Sequence, residues 1–457
     1  MLHLSSALKH AGHEVDLVVA NHQDPVEVAR EWQPEIVGYS VMTGSQHYYL
    51  ELNSRIRKVA PAFSVFGGPH PTFFSEMIEE EGVEGICIAE GEGAIVDLAN
   101  ALSEGELNVN IPNWHFKLDG EIVQNPVRPA VSDLDTLPLP DRDLLYGRDV
   151  LSRKSKIKHF ITSRGCPYNC TYCFNHALFE IYGAKAKRFR QRSVDSVIEE
   201  IIDVRSKYPL EFVVFVDDTF VISKVWLEEF AGKFPKEVAL PFFCNTRANL
   251  VTREQAQLLK SAGCFSVSMG VEAGNDRVRN ELLKRGMSRE SLVKAAGLFL
   301  EVGLNFTTTN IIGLPTTTIE DDFETLGLNI ECRPDYAHVF MFQPYPRTQL
   351  GEFSREQDLM VGTFDDIGEL AWDTSVLKFP PDHLRQLENL QRFFALVVNW
   401  PRLRPLLRHI IRWRPNGLFW LVNKLWKGYV IKKRVHPVKL SLREYVDLIW
   451  QFMKINS

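Results

Sequence analysis

The segment Thr162-Ser-Arg-Gly-Cys166-Pro-Tyr-Asn-Cys170-Thr-Tyr-Cys173-Phe-Asn175 decides how the rest of the chain is read. Its cysteines directly follow His159–Ser163, which reads as a strand. Three thiolates within eight residues can wrap one face of an iron–sulfur cube, because soft thiolates suit such clusters. A fourth local cysteine is missing, so one iron would stay open to a small ligand, a catalytic arrangement rather than an electron carrier. The competing readings are three buried thiols or a zinc knuckle. Zinc prefers four protein ligands and a C-x2-C pairing, which C-x3-C-x2-C fits poorly.

Working outward, the other cysteines are scattered at Cys87, Cys244, Cys264 and Cys332. They read as small buried residues, with a substrate contact at Cys244 as a lesser alternative. Seven is an odd count, which argues against a disulfide framework and for a reduced, cytoplasmic setting. Of the 457 residues 45% are hydrophobic and 24% charged, which excludes disordered, collagenous and disulfide-scaffold classes. No apolar run reaches the roughly eighteen residues of a spanning helix. Met1-Leu-His-Leu-Ser-Ser lacks the charged and apolar stretches of a secretory leader. The net charge of −6 conceals an asymmetry: residues 400–457 hold thirteen Lys/Arg against two Asp/Glu, leaving 39 against 56 elsewhere. An acidic body with a basic tail does not suit a nucleic-acid protein.

From His159 onward, strands are expected at 159–163, 212–216, 242–246, 265–270, 305–312 and 337–342. Helical patterns fill the gaps. Six βα repeats predict a parallel barrel or part of one. Residues 1–105 also alternate, with strands expected at 14–20, 35–40, 63–66 and 85–89 and helices at 25–32, 46–59, 71–80 and 92–102. Short Gly-rich joints make this a parallel, doubly wound sheet. The chain opens inside a helix, Leu2–Ala11, where such a domain ordinarily opens with a strand. The expectation is therefore a misassigned start or a fragment. Asp119-Gly120 predicts a hairpin between 114–118 and 121–124. The expected division is 1–110, a linker with hairpin at 111–151, a barrel at 152–355 and a helical region at 356–457.

The cysteine loop on a (βα)6 pattern resembles the radical S-adenosylmethionine (SAM) superfamily over about residues 155–350. The resemblance implies that Cys166, Cys170 and Cys173 hold a [4Fe-4S] cluster, with SAM on the open iron and reductively cleaved to a 5′-deoxyadenosyl radical. It places Tyr172 at adenine and Asp217 and Asp218 at the SAM amine, although Asp218 or Thr219 could equally cap the next helix. Ser268-Met-Gly-Val-Glu272-Ala-Gly is similar to the family's Gly-Val-Glu-Ser-Gly variants, making Glu272 a ribose or amine contact. Arg285 is a partner for the SAM carboxylate, or else a solvated helix-end arginine. Asn245 and Arg247 end the third strand, and Gly313 belongs to a segment similar to the family's adenine-binding edge. All of these residues end strands, where barrel sites lie.

Three joints of the first domain resemble B12-binding domains: Ser40-Val-Met-Thr43-Gly-Ser45, Gly67-Gly68-Pro-His70 and Glu90-Gly91-Glu92-Gly93. In those domains a Ser/Thr loop and a Gly-Gly loop surround the buried dimethylbenzimidazole tail. The resemblance makes Ser40, Thr43, Gly67, Gly68, Glu90 and Gly91 cobalamin contacts. The alternative is a flavodoxin-like relic without a ligand. The Asp-x-His-x-x-Gly loop that coordinates cobalt in some cobalamin proteins is absent; His3 and His22 do not fit it, and His70 reads as a loop residue.

Residues 400–436 carry ten Lys/Arg and no Asp/Glu, interleaved with Trp400, Trp413, Trp420 and Trp426. They read as a helical cap with its aromatic side on the barrel, or as a segment lying in a bilayer interface against anionic lipid. The fold class expected is α/β: a doubly wound cobalamin-binding domain lacking its first strand, a partial (βα)6 radical SAM barrel and a helical tail. The function implied is methylation of an unactivated carbon with cobalamin, SAM and an external donor of flavodoxin or ferredoxin type. A radical cyclase resembling the anaerobic oxidative cyclase of chlorophyll synthesis is the alternative, and a cobalamin-binding regulator a third. The three cluster cysteines argue against the regulator. The substrate, whether small molecule, lipid or peptide, is not legible.

Overall fold

The structure, a computed structural model, describes residues 1–105, 109–183, 186–367, 374–435 and 438. The final stretch of the expected helical tail, from 439 onward, lies outside the described residues. The first sheet runs β1 (Ile36–Ser40), β2 (Phe63–Gly67) and β3 (Gly85–Cys87) in parallel. It continues antiparallel through β4 (Trp114–Leu118) and β5 (Glu121–Gln124). Strand alternation sends Phe66 and Ile86 to one face with Leu52 and Ile56, and Val65 and Cys87 to the other with Leu98 and Trp114. Two cores on two faces make the domain doubly wound. Its helices follow local signals: Pro25–Trp32 opens on Asp24, whose carboxylate accepts from the Val26 N–H at 2.9 Å.

In the first sheet and its helices the sequence expectation differs from the structure at three places. Glu14–Val19 adopts no regular element, Ala20 enters a turn, and the segment pairs with no strand among the described residues. A strand exists only through backbone partners, and a cavity of about 1160 Å³ lies here, lined by Glu14–Leu17 and by Ile36, Gly38, Tyr39 and Ser40 of β1. The helix expected at 71–80 divides into Pro69–Phe73 and a 3-10 turn, Ser75–Glu79, because Phe74 leaves the helical region at φ −125° and ψ 73°. The hairpin placed in a linker instead extends the first sheet through β4. Its turn uses Asp119 and Gly120 at φ 50° and 85°, as a two-residue hairpin requires.

The second sheet holds six strands: β6 (Ile157–Phe160), β9 (Phe212–Phe215), β10 (Phe242–Thr246), β11 (Cys264–Glu272), β12 (Asn305–Ile312) and β13 (Tyr336–Met341). A short ribbon, β7 (Ser163–Arg164) with β8 (Arg190–Gln191), interrupts them in sequence. All neighbours in the six-stranded sheet are parallel and in chain order, and among the described residues no strand pairs with the outer side of β6 or β13, so the barrel is open. Period-2 alternation decides the packing. Val213, Phe215, Phe242 and Cys244 face the helices in one large core, where Phe215, Phe220, Phe230, Phe234 and Phe242 pack edge to face. Phe212, Val214, Phe243 and Phe265 belong to a separate small cluster that Val438 of the tail fills. Cys87, Cys244, Cys264 and Cys332 are all buried. Cys244 lies in the strand–helix core, which removes it from the concave face. The helix Pro381–Asn399 covers the β13 edge, with Leu390, Phe394 and Val397 against Phe323 and Ala337. No helix among the described residues is long and apolar enough to cross a membrane.

Candidate active site

The cysteine loop leaves β6 and β7 and is held from three sides. Gly165 sits at φ 86°, and a Cβ there would stand 2.5 Å from the Arg188 carbonyl oxygen, so only glycine admits this approach just before Cys166. The Thr171 N–H donates to the Leu283 carbonyl (3.2 Å) and its hydroxyl to that of Leu282 (2.7 Å). The Leu350 N–H donates to the Thr171 carbonyl at 2.9 Å. The loop is therefore a rigid shelf at the carboxyl ends of the strands.

The strand ends beside it are stitched together. Asp217, buried after β9, accepts from the Thr162 N–H (3.0 Å), the Thr162 hydroxyl (2.8 Å) and the Ser163 hydroxyl. Its oxygens are thus engaged in holding the base of the loop. Asn245 donates from Nδ2 to the Asp217 carbonyl at 2.9 Å, and its own carbonyl accepts from Phe220. Asp218 instead faces the loop, accepting from Asn175 Nδ2 at 3.0 Å; Asn175 also lies 3.6 Å from Cys173 Sγ.

Two arginines converge on Cys170. Arg247 Nη1 is 3.4 Å and Arg285 Nη1 3.8 Å from its Sγ. Arg247 also donates to the Arg285 carbonyl and lies over the Tyr168 ring at 3.9 Å. Arg285 reaches the Tyr172 hydroxyl (3.0 Å) and the Gly270 carbonyl (2.6 Å) and stands 3.9 Å from Glu272. Glu272 reaches this point because a bulge between Gly270 and Glu272 and a left-handed φ of 64° turn it inward; Thr309 donates to it at 3.0 Å. Burial raises the Glu272 pKa, and Arg285, Thr309 and Tyr172 partly oppose this. For Arg285 burial works against the charge, but Tyr172, Glu272 and Cys170 outweigh it and the guanidinium stays charged. Arg285 is therefore buried within the site, not solvated at a helix end. Gly313, by contrast, packs under Leu387 and Phe379, and its N–H donates to buried Asp322 at 3.3 Å.

The residues suit an anionic cluster and a zwitterionic ligand. Among the described residues the buried Nε atoms of Arg247 and Arg285 meet no acceptor. Burial raises Cys166 and pushes Cys173 up to about 11, so both thiolates need a cation to form near neutrality.

The first-domain joints meet this shelf. Gly68 stands at φ 96°, where a Cβ would lie 3.0 Å from both the N and O of Val41 and 3.3 Å from Ser40 Oγ. Ser40, Gly67, Gly68, Glu90 and Gly91 all line the 1160 Å³ cavity, whose wall also includes apolar Leu4, Leu8, Val65 and Ile95. Such a cavity fits a buried aromatic tail. Thr43 is not among the residues that line it; its hydroxyl lies 3.4 Å from His70 Nδ1. Thr72 ties two joints together, donating to the Gly68 carbonyl (2.8 Å) and accepting from the Ala89 N–H (3.1 Å).

Residues that the sequence did not single out join the two domains. Arg164, two before Cys166, pairs with Glu90 (3.1 Å) and Glu92 (2.5 Å). Arg190 pairs with Glu90 at 2.8 Å, and the Tyr182 hydroxyl accepts from the Glu90 N–H at 3.1 Å. Burial alone would raise Glu90, but Arg190 and Arg164 hold it below the usual carboxylate value. Phe73 of the Gly-Gly joint stacks on Phe174 at 4.5 Å, the residue after Cys173. The only sequence signal for Arg164 was its place in Ser-Arg-Gly-Cys; the others are partners across about a hundred residues.

Residues 160–328 match the model of the radical SAM superfamily and residues 1–99 that of the B12 binding domain. An uncharacterised methyltransferase of Pyrococcus horikoshii is 28% identical over 74% of this chain and 73% of its own length. An anaerobic magnesium-protoporphyrin IX monomethyl ester cyclase of Cereibacter sphaeroides is 28% identical over 78% of this chain, which spans 60% of that protein. The hopanoid C-3 methylase of Methylococcus capsulatus is 26% identical over 93% of this chain and 81% of its own length. Among solved structures, the radical SAM methyltransferase TsrM of Kitasatospora setae, with cobalamin and a [4Fe-4S] cluster bound, superposes with a TM-score of 0.64. It is 22% identical, covers 79% of this chain and 75% of its own, and so shares the fold. From the two domain matches and the site they frame, the chain is a B12-binding-domain-containing radical SAM protein.

Proposed function

We propose that this chain is a cobalamin-dependent radical SAM methyltransferase that methylates an unactivated carbon. The observation that carries this reading is the Arg164 bridge: one side chain links the Glu90–Glu92 joint of the first domain to the strand end that presents the three cysteines. Similarity to the methyltransferase of P. horikoshii and to the hopanoid C-3 methylase supports it. When bound, a [4Fe-4S] cluster supplies the electron that cleaves SAM, and cobalamin carries the methyl group.

The chain's own residues hold, orient and exclude. Cys166, Cys170 and Cys173 would hold the cluster, and Asp217 keeps their loop in place through Thr162 and Ser163. Arg285, Glu272 and Tyr172 form a charged clamp suited to an amino-acid carboxylate and ammonium. Asp218 offers a further acceptor beside Cys173, through Asn175. The first-domain joints would hold cobalamin, with its tail in the apolar cavity. Phe73 on Phe174 and the Arg164–Glu90–Arg190 cluster keep the two sites in register and help exclude water between them. A small one-electron carrier of flavodoxin or ferredoxin type is the expected reductant.

A second reading, a radical cyclase, rests on the similarity to the C. sphaeroides cyclase. Products of SAM turnover separate the two. Protein loaded with iron, sulfide and cobalamin, reduced and given SAM and substrate, should form S-adenosylhomocysteine and 5′-deoxyadenosine together. Deoxyadenosine alone would select the cyclase. No SAM consumption under any reducing condition would refute both.

A further inference from the structure

We propose that residues 400–434 form a docking surface for an anionic lipid bilayer. Helix Gly417–Val430 has two apolar sides. One is buried: Phe419 meets Phe393 at 4.9 Å and Val430 packs by Tyr336 and Ala395. The other is not. Leu418, Leu421, Leu425 and Tyr429 are 66%, 45%, 66% and 53% exposed, and their spacing of three and four residues aligns them in one stripe. Trp400, Trp413 and Trp420 are each more than half exposed nearby. A cap with its aromatic side on the barrel would have buried these groups. Isolated exposed apolar residues are ordinary, but an aligned row with indoles beside it marks an interaction face.

The charge selects the partner. The same segment holds ten Lys/Arg and no Asp/Glu. Arg408 is taken by Glu320 at 2.7 Å and Arg434 lies 3.7 Å from Asp335, whereas Arg412 and Arg414 flank Trp413 at the surface. A second copy meeting this face symmetrically would bring like charges together. A phosphate backbone would satisfy the arginines but offer nothing to the leucine row. An anionic bilayer satisfies both, with leucines in the acyl boundary, indoles at headgroup level and basic groups on lipid phosphates. The helix has fourteen residues, about 21 Å, too short to span and suited to lie in the interface plane. This inference does not depend on the chemistry assigned above.

The test is sedimentation of the full chain with vesicles of pure phosphatidylcholine and of a phosphatidylcholine–phosphatidylglycerol mixture, at low and raised salt. Binding to the mixed vesicles should exceed binding to the neutral ones about tenfold or more, fall with salt, and shift Trp emission to the blue. Leu421→Glu with Leu425→Glu, and separately Arg412→Glu with Arg414→Glu, should each abolish most of it. All four positions are exposed, and an unchanged melting curve shows that the fold survives. Absence of sedimentation at low salt overturns the proposal. So does binding that both double variants leave intact. A lipid-free dimer that Leu421→Glu with Leu425→Glu dissociates would assign the stripe to a second copy and likewise overturn it.

Discussion

Replacing Gly68 with alanine tests the geometry of the Gly-Gly joint, because its neighbour Gly67 serves as an internal control. At φ 96° and ψ −170° Gly68 occupies backbone space that is essentially glycine-only, which costs an alanine about 1–3 kcal/mol. The new Cβ would also stand 3.0 Å from the N and O of Val41. Val41 cannot retreat freely. Its N–H donates to the Gly67 carbonyl at 2.8 Å and its carbonyl accepts from His70 at 2.9 Å, so movement weakens one backbone hydrogen bond, about 1 kcal/mol. The total, about 2–4 kcal/mol, raises the population of locally opened joint roughly 30- to 1000-fold. A Cβ on Gly67 would meet only Cys87 Cβ at 3.7 Å, an ordinary contact. Hydrogen exchange over residues 36–73 is the suitable assay, since a chain of several domains does not unfold in one step. Gly68→Ala should accelerate exchange there by that factor and lose cobalamin, while Gly67→Ala stays within threefold of the parent, roughly 0.6 kcal/mol. Equal behaviour of the two variants would refute the reasoning.

Four further outcomes are expected. Burial holds His70 down to about 4 against an ordinary 6.5, so the folded protein binds fewer protons between those values. Its contribution is full above pH 6.5 and is lost as pH falls toward 4, by up to about 3 kcal/mol; thermal melting across that range should show the loss, and His70→Gln should flatten it. Glu90→Gln leaves Arg190, 5% exposed, without its carboxylate, and should destabilise the domain contact by about 3 kcal/mol, read as faster proteolysis of residues 126–142. Asp217→Asn turns an acceptor facing three donors into a partial donor, costing about 2–3 kcal/mol and lowering iron retention on gel filtration. Arg285→Lys keeps the charge but loses the fork between Tyr172 and Gly270; iron content should hold while SAM affinity, followed by the change it causes in the reduced-cluster EPR signal, falls about tenfold.

The six barrel strands are legible because each repeats one signal, a short apolar run between helical periods, and β10 and β12 match their expected bounds residue for residue. The cysteine spacing makes the site legible for the same local reason. Glu14–Ala20 shows where local pattern stops: its apolar alternation is that of a strand, but strand formation depends on a partner backbone. Asp217 shows a second limit. Its place at a strand end suggested a ligand contact, yet Thr162 and Ser163 engage its carboxylate, a partnership set by the fold. The Arg164–Glu90–Arg190 cluster was invisible because charge pairs between domains leave no periodicity in sequence.

The most direct test of the account is metal analysis of anaerobically reconstituted protein, iron and cobalt measured together per chain. The account predicts about four iron and about one cobalt in the parent. It predicts loss of iron with retention of cobalt in the variant carrying Cys166→Ala, Cys170→Ala and Cys173→Ala. Iron that persists in that variant, or a parent chain that binds no cobalt, would contradict it.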